Sequence, residues 1–255
     1  MDVTIVGCSG SFAGPRSPAS SYLVQAEHDG RTWSIVLDLG NGALGALQNH
    51  IQPYAVDAVL LSHLHVDHCI DMCGLYVMMR YVPGGPGRPA MPVWGPPGTG
   101  VHLARAYGGG DSEDVFGTFD FHDLRDREPV SVGPFTVTPV RVNHPVEAFG
   151  FRVEAHGRTL AYTGDTDTCD ELSELMADAD LVLADSAFVD GRDSVPDIHL
   201  SGRRAAEAAI RAGGVGRLML THIPAWNDPE ICRDQAAAVW PGKVELAEPG
   251  ASYTL

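Results

Sequence analysis

The segment Leu61-Ser62-His63-Leu64-His65-Val66-Asp67-His68 restricts this chain more than any other. It places three imidazoles and a carboxylate within six positions, directly after the apolar run Ala58 to Leu61. Alternate residues of an extended segment project to the same side, so His63 and His65 can reach one ion. Asp67 and His68 start the turn that follows and can face a second. A merely solvated loop has no need of three histidines, whereas imidazole and carboxylate together suit borderline and hard divalent metals.

Further donors stand where other strands are expected to end. His144 follows the run Phe135 to Val142 and precedes Pro145, which holds the segment extended. Asp165 follows Tyr162-Thr163-Gly164, where glycine lets the backbone turn tightly beside an ion. His222 closes Leu218 to Thr221 and precedes Ile223-Pro224. Each alone reads as an ordinary histidine or turn aspartate; their recurrence at strand ends points to one shared site.

Alternation of short β-branched runs, Gly-rich turns and helical stretches indicates a layered α/β fold. Strands are expected at Val3 to Val6, Ser21 to Gln25, Trp33 to Leu37, Ala58 to Leu61, Phe135 to Val142, Phe149 to Glu154, Thr159 to Tyr162, Leu181 to Ala184, Leu218 to Thr221 and Ser252 to Leu255. Helices are expected at Gly40 to His50, Cys69 to Arg80, Cys169 to Ala177, Ser201 to Ala212 and Pro229 to Val239. Tyr81 to Pro97 is rich in Pro and Gly and reads as a surface excursion, so no boundary is drawn and residues 1–255 are expected to form a single domain. Repeats and low-complexity tracts are absent.

Composition narrows the function. No run of eighteen apolar residues exists, and Met1-Asp2-Val3-Thr4 carries no basic leader, so a cytoplasmic enzyme is expected, with no membrane partner. Five scattered cysteines, Cys8, Cys69, Cys73, Cys169 and Cys232, suit reduced thiols rather than a disulfide framework. A net charge of -16 disfavours large nucleic acids, which are met by basic surfaces, but leaves a small anionic substrate open because two divalent cations make a site locally positive.

Taken in order, HxHxDH at His63 to His68, then His144, Asp165 within Thr163-Gly164-Asp165-Thr166, and His222 resemble the motif set of the metallo-β-lactamase superfamily over nearly the whole chain. The resemblance implies an αββα four-layer sandwich with two metal ions at one edge. His63, His65 and His144 would hold one ion, Asp67, His68 and His222 the other, and Asp165 would bridge them. Zn²⁺ is the expected metal, with Mn²⁺ as the alternative. Members often dimerise, so a homodimer is among the expected assemblies.

Asp165 stands where true β-lactamases of this fold carry cysteine, which disfavours antibiotic hydrolysis, and the histidine motif differs from the HxExD string of the di-iron redox branch, which favours hydrolysis over redox chemistry. Asp197-Ile198-His199-Leu200-Ser201 resembles the HST-type motif of ribonuclease Z-like phosphodiesterases, whose histidine faces the scissile phosphate, and Asn143 to Arg152 is similar to the ribonuclease Z motif. Ribonuclease Z proteins that process tRNA carry a long arm between the positions matching His144 and Asp165, and here only Pro145 to Gly164 lie between them. The opening Thr4 to Ser11, Ser17 to Tyr22 and Leu220 to Pro224 look like an actinobacterial group that includes atypical class II cyclic-nucleotide phosphodiesterases acting on cAMP.

The expected activity is therefore hydrolysis of a small phosphodiester, cAMP to 5′-AMP, by water activated between the two ions, with Asp67 taking or positioning the proton and His199 stabilising the transition-state charge. Alternatives on the same scaffold are a ribonuclease Z-like nuclease and a lactone, thioester or other cyclic-phosphate hydrolase; from a different class, a metal-binding scaffold. Asp71 and Asp185 are candidates to orient a ligating histidine. His28, His50, His102, His122 and His156 read as surface or packing residues, and Cys69 and Cys73 as small apolar helix positions.

Overall fold

The computed structural model of the chain describes residues 1–85, 89–110 and 116–255. Its first half builds a seven-stranded sheet from β1 (Asp2–Gly7), β2 (Ser21–His28), β3 (Arg31–Leu37), β4 (Ala58–Leu60), β5 (Met91–Gly95) and β6 (Phe119–Asp123), with the C-terminal strand β14 (Ser252–Thr254) on the β1 edge. The second half builds another seven-stranded sheet, ordered β13-β12-β11-β10-β9-β8-β7, from β7 (Val130–Val132), β8 (Phe135–Arg141), β9 (Phe149–Ala155), β10 (Arg158–Tyr162), β11 (Leu181–Asp185), β12 (Leu218–Thr221) and β13 (Val244–Leu246). Helices α1 (Ala43–Leu47), α2 (Val66–Cys69), α3 (Met72–Tyr81) and α4 (Thr99–Tyr107) fall in the first half. Helices α5 (Glu171–Met176), α6 (Gly202–Arg211) and α7 (Pro229–Ala237) fall in the second.

Period-two burial explains the layering. In β2, Tyr22 and Val24 join the cluster between the sheets while Leu23 joins the cluster under the first set of helices; in β11, Leu181 and Leu183 part from Val182 and Ala184 in the same way. A strand apolar on both sides needs a layer on each. Val3, Ile5, Ile35 and Leu60 of the first sheet meet Val137, Phe151, Val153 and Met219 of the second. Leu47, Met72, Leu75 and Leu103 cover the first sheet's outer face, and Leu172, Leu175, Ala205 and Cys232 cover the second's. The result is the expected αββα sandwich.

The core strands also fix where a site can form. β3, β4, β5 and β6 run parallel, as do β10 to β13, and β8 points the same way as β10 because each is antiparallel to β9. Their carboxyl ends gather at one edge, the usual place for ligands in parallel sheets.

Three expectations need correction. The segment Tyr81 to Pro97, of which 86–88 lie outside the described residues, is not only an excursion, since β5 runs through it with Met91 and Val93 fully buried. Pro92 hid this strand, but β4 pairs with β5 only from Val93 onward, so the missing N–H falls before that ladder begins. The helix expected over Cys69 to Arg80 is split at Ile70-Asp71, because the His68 carbonyl accepts from Leu39 N (2.7 Å) and Asp71 N donates to the Leu39 carbonyl (3.1 Å). The first of the five expected helices shrinks to α1, starting after Gly42 in a left-handed conformation at φ 83°. Helix α4, unforeseen, is bracketed by Gly98 and Gly108, both also left-handed. No helix among the described residues is long and apolar enough to cross a membrane.

Helices α6 and α7 meet closely at Gly202, where a Cβ would lie 2.0 Å from the Cys232 carbonyl oxygen. Both helices are capped by side chains, Ser201 accepting from Arg204 N and Asp228 from Glu230 N ahead of Pro229. Gly202→Ala therefore forces the two helices apart, and urea unfolding is expected to show a loss of about 1–3 kcal/mol with an unchanged m-value.

Candidate metal centre

Side chains from six strand ends converge. β3 delivers Asp38, β4 delivers Ser62, His63 and the start of α2, β8 leads to His144, β10 to Asp165, β11 to Asp185 and β12 to His222. His65 is extended at ψ 150° and precedes α2, and His63 and His65 fall in one donor group while Asp67 and His68 fall in another. Gly164 is left-handed at φ 59°, and a Cβ there would lie 2.7 Å from the Phe149 carbonyl oxygen, which is why glycine precedes Asp165. Asp38, Asp197 and His222 also adopt positive φ, of 58°, 64° and 56°, an uncommon conformation for residues with a Cβ.

The seven expected ligands sort into two groups, each within 4.8 Å, that share Asp165: His63, His65 and His144 in one, and Asp67, His68 and His222 in the other; a third set, Asp165, Asp185 and His199, is equally close. In the first, His65 Nδ1 lies 3.0 Å from His63 Nε2 and 3.2 Å from His144 Nε2, and His63 Nε2 lies 3.7 Å from Asp165 Oδ2. In the second, His68 Nε2 lies 3.1 Å from Asp165 Oδ1 and 3.5 Å from Asp67 Oδ2, while His222 Nε2 lies 3.2 Å from Asp165 Oδ2 and 3.7 Å from Asp67 Oδ2. A tetrahedral ion with ligand bonds of about 2.0–2.2 Å sets its donors roughly 3.3–3.6 Å apart. Both groups are spaced for one ion each.

Unpaired atoms supply an independent test of that fit. His68 Nε2, His222 Nε2 and Asp165 Oδ1 are buried without a hydrogen-bond partner, a costly condition for three polar atoms that face one another. The opposite ring nitrogens are engaged: His63 Nδ1 with Ser62 Oγ (3.0 Å), His68 Nδ1 with Asp38 Oδ2 (2.7 Å), His144 Nδ1 with the Ile198 carbonyl (2.9 Å) and His222 Nδ1 with Ser20 Oγ (2.8 Å). With Nδ1–H donating to these oxygens, each Nε2 faces the cluster and can ligate an ion in the neutral ring, the arrangement ligating histidines use. The residues present therefore fit two divalent cations.

Asp38 is the residue that the sequence reading missed. Fully buried, it accepts from Ser62 N (2.6 Å), Ser62 Oγ (2.7 Å), His68 Nδ1 and Tyr162 OH (2.7 Å). Its signal was an acid in Leu37-Asp38-Leu39-Gly40, directly after an apolar strand. Asp71, expected to orient a histidine, instead accepts from Leu44 N (2.9 Å) and fastens α1. Asp185 does orient a histidine, accepting from His199 Nδ1 at 2.8 Å, and is itself fixed by Thr166 N and Ala187 N. Cys69 is buried in the helix-side core, and none of His28, His50, His102, His122 or His156 joins the donor groups.

Charge in the metal-free cluster is divided. Burial holds His63, His65 and His144 below the usual imidazole range. Burial opposes charge on His68 too, but Asp165 and Asp38 outweigh it and raise the group well above that range. Asp165 is held well below the carboxylate range, burial being overcome by His222 and His68, and Asp67 is brought to about 2 against its burial by His68. His199 rises to about 9 because Asp185 outweighs burial. Its Nδ1 is 3.9 Å from Asp165 Oδ2 and its ring lies 5.6 Å from that of His144 and 5.3 Å from that of His222, with Phe188 edge-on at 5.2 Å. His199 thus stands beside the donor groups with Asp185 favouring its charged form.

The sequence profile described as "Beta-lactamase superfamily domain" matches residues 34–223. An uncharacterised protein of Mycobacterium tuberculosis, Rv1339, is 45% identical over 95% of this chain and 88% of its own length. The Bacillus subtilis protein described as "Probable metallo-hydrolase YhfI" is 30% identical over 98% of both chains, and its crystal structure superposes with a TM-score of 0.85 over 99% of this chain and 98% of YhfI. Ribonuclease Z of Mycobacterium bovis is 31% identical over 96% of this chain and 95% of its own. With its two facing sheets, flanking helices and donor cluster at the strand ends, the chain belongs to the beta-lactamase superfamily and carries the metallo-β-lactamase fold.

Proposed function

We propose that the protein is a dinuclear-metal phosphodiesterase that hydrolyses a small cyclic nucleotide, 3′,5′-cAMP to 5′-AMP. The observation that carries this reading is His199, held by a 2.8 Å hydrogen bond to Asp185 at the edge of two donor groups that share Asp165. Two divalent ions, Zn²⁺ or Mn²⁺, held by His63, His65, His144 and Asp165 and by Asp67, His68, His222 and Asp165, would supply an activated water and Lewis-acid stabilisation of the phosphoryl oxygens. An ester hydrolase for neutral substrates has no use for an added cation, whereas phosphoryl transfer is catalysed mainly by positioning and charge stabilisation.

The protein's own groups then have defined tasks. Water forms the new P–O bond in line with the departing 3′-oxygen. Asp67, an anion even at low pH, positions the proton of that water. His199 faces the charge that builds on phosphorus and its leaving oxygen, while Asp185 keeps the ring oriented and protonated. The strands β9 and β10 are joined by the two-residue turn His156-Gly157, so the stretch between His144 and Asp165 holds no arm for tRNA. The net charge of -16 likewise favours a small anion over a polynucleotide.

Turnover of cAMP, cGMP, a bis(aryl) phosphodiester and a lactone by the metal-loaded protein tests the proposal, with the cyclic nucleotides expected to be preferred. Hydrolysis of the lactone alone overturns it. In the same assay Asp165→Ala is expected to abolish turnover and reduce metal content below two ions per chain. His199→Ala should lower kcat by about 10²–10³-fold, the range for removing one preorganised charge-stabilising group, with metal content unchanged. Because His68 is held protonated in the metal-free protein and an ion takes the neutral imidazole, metal binding should release a proton and tighten as pH rises. Calorimetry in buffers of different ionisation enthalpy measures that release.

A further inference from the structure

Two aromatic rings near the donor cluster have no task in the reaction described above. Phe12 is 39% exposed and Trp226 62% exposed, and their ring centroids lie 4.9 Å apart at an interplanar angle of 46°. Each belongs to a braced loop. The Phe12 loop is closed by Ser9 N donating to the Pro18 carbonyl (3.0 Å), Gly14 N to the Ser17 carbonyl (2.8 Å) and a bridge between Ser9 and Ala19. Trp226 lies in a turn closed by Asn227 N donating to the Pro224 carbonyl (2.8 Å). The Asn227 amide is held in turn by the Ala187 carbonyl and Arg192, both at 2.8 Å.

Both loops adjoin the site. Trp226 lies four positions after His222, and the backbone of Gly10 rests on His222 so closely that a Cβ would be 2.3 Å from its carbonyl oxygen and 3.0 Å from its ring Cδ2. A cavity of about 620 Å³ behind the loops is lined by Ser9, Gly14, Ser17, Thr221, Ile223 and Ala225 among others; His222, Phe12 and Trp226 do not line it. Both rings are carried by segments that flank His222, Trp226 four residues after it and Phe12 two residues after Gly10. Rigid aromatic faces beside a phosphate-cleaving centre match the other end of a nucleotide, since every base has a π-face and stacking needs little further ordering of the protein.

We infer that Phe12 and Trp226 form the stacking surface for the nucleobase of the substrate and make it selective for nucleoside-bearing phosphodiesters. The inference rests on the phosphodiesterase reading for its reaction, but stacking can be measured without turnover. Calorimetric titration of the metal-loaded protein with 5′-AMP and with ribose 5-phosphate, which lacks the base, separates the two. The wild type is expected to bind 5′-AMP about tenfold or more tightly than ribose 5-phosphate, as one stacked base warrants. Trp226→Ala and Phe12→Ala should each remove most of that ratio, and Trp226→Phe should keep most of it.

Equal weakening of both probes in Trp226→Ala, or a preserved preference for 5′-AMP, overturns the inference. So does a change of oligomeric state in Trp226→Ala at constant nucleotide affinity, which would mean that the rings cover a second copy of the chain. A protein that cleaves no phosphodiester yet keeps a Trp226-dependent preference for 5′-AMP supports the stacking surface and overturns the reaction. Equal KM for cAMP and the base-free ribose 3,5-cyclic phosphate in wild type, with cleavage of both, overturns the stacking surface and leaves the reaction standing.

Discussion

The buried carboxylate of Asp38 is the contact on which the arrangement of the centre depends. It leaves the end of β3 in a left-handed conformation, takes hydrogen bonds from Ser62 and His68 of its own half, and takes another from Tyr162 of the opposite sheet. A buried acceptor without these donors would be costly, so both sheets are held in one relative position at the edge where the donors meet. Tyr22 bonded to Thr221 across the same gap repeats the device one strand away. The histidines are thus aimed by a frame that is itself hydrogen-bonded, and little of their geometry is left to loop motion.

Charge is distributed in keeping with that frame. The surface carries an excess of acids, whereas the strand-end edge concentrates imidazoles around Asp165 and Asp67. An anionic nucleotide approaching such a molecule meets general repulsion and one local exception. The proposed preference for a small anion over a long polyanion rests on this contrast, since a polymer cannot confine its charge to the exception.

Most of the centre was legible because metal-binding chemistry leaves dense local marks. His63, His65, Asp67 and His68 sit in one turn, and His144, Asp165 and His222 each follow an apolar strand, so residue type and strand-end position together were enough to gather them. Asp38 lacked such a mark: one aspartate after a strand reads as a turn residue until its partners, distant in sequence, are known. Asp71 failed for the opposite reason, being close to the histidines in sequence while its carboxylate is taken by a neighbouring helix. The sandwich was legible from doubly buried strands such as β2 and β11. Strands β5, β6, β7 and β13 were not: a proline interrupts β5, β6 is mostly exposed with acids and a histidine between its two phenylalanines and after them, and β7 and β13 have only three residues. Phe12 and Trp226 carried no motif at all, and only their meeting in space singles them out.

The left-handed backbone at His222 and Asp38 sets chemistry against durability. At either position glycine would suit the main chain better than the residue present, yet it would erase the imidazole or the carboxylate that the site needs. At Asp38 that erasure would also strand the buried donors of Ser62, His68 and Tyr162, so durability favours glycine at His222 alone, where the need for an imidazole keeps the side chain in place.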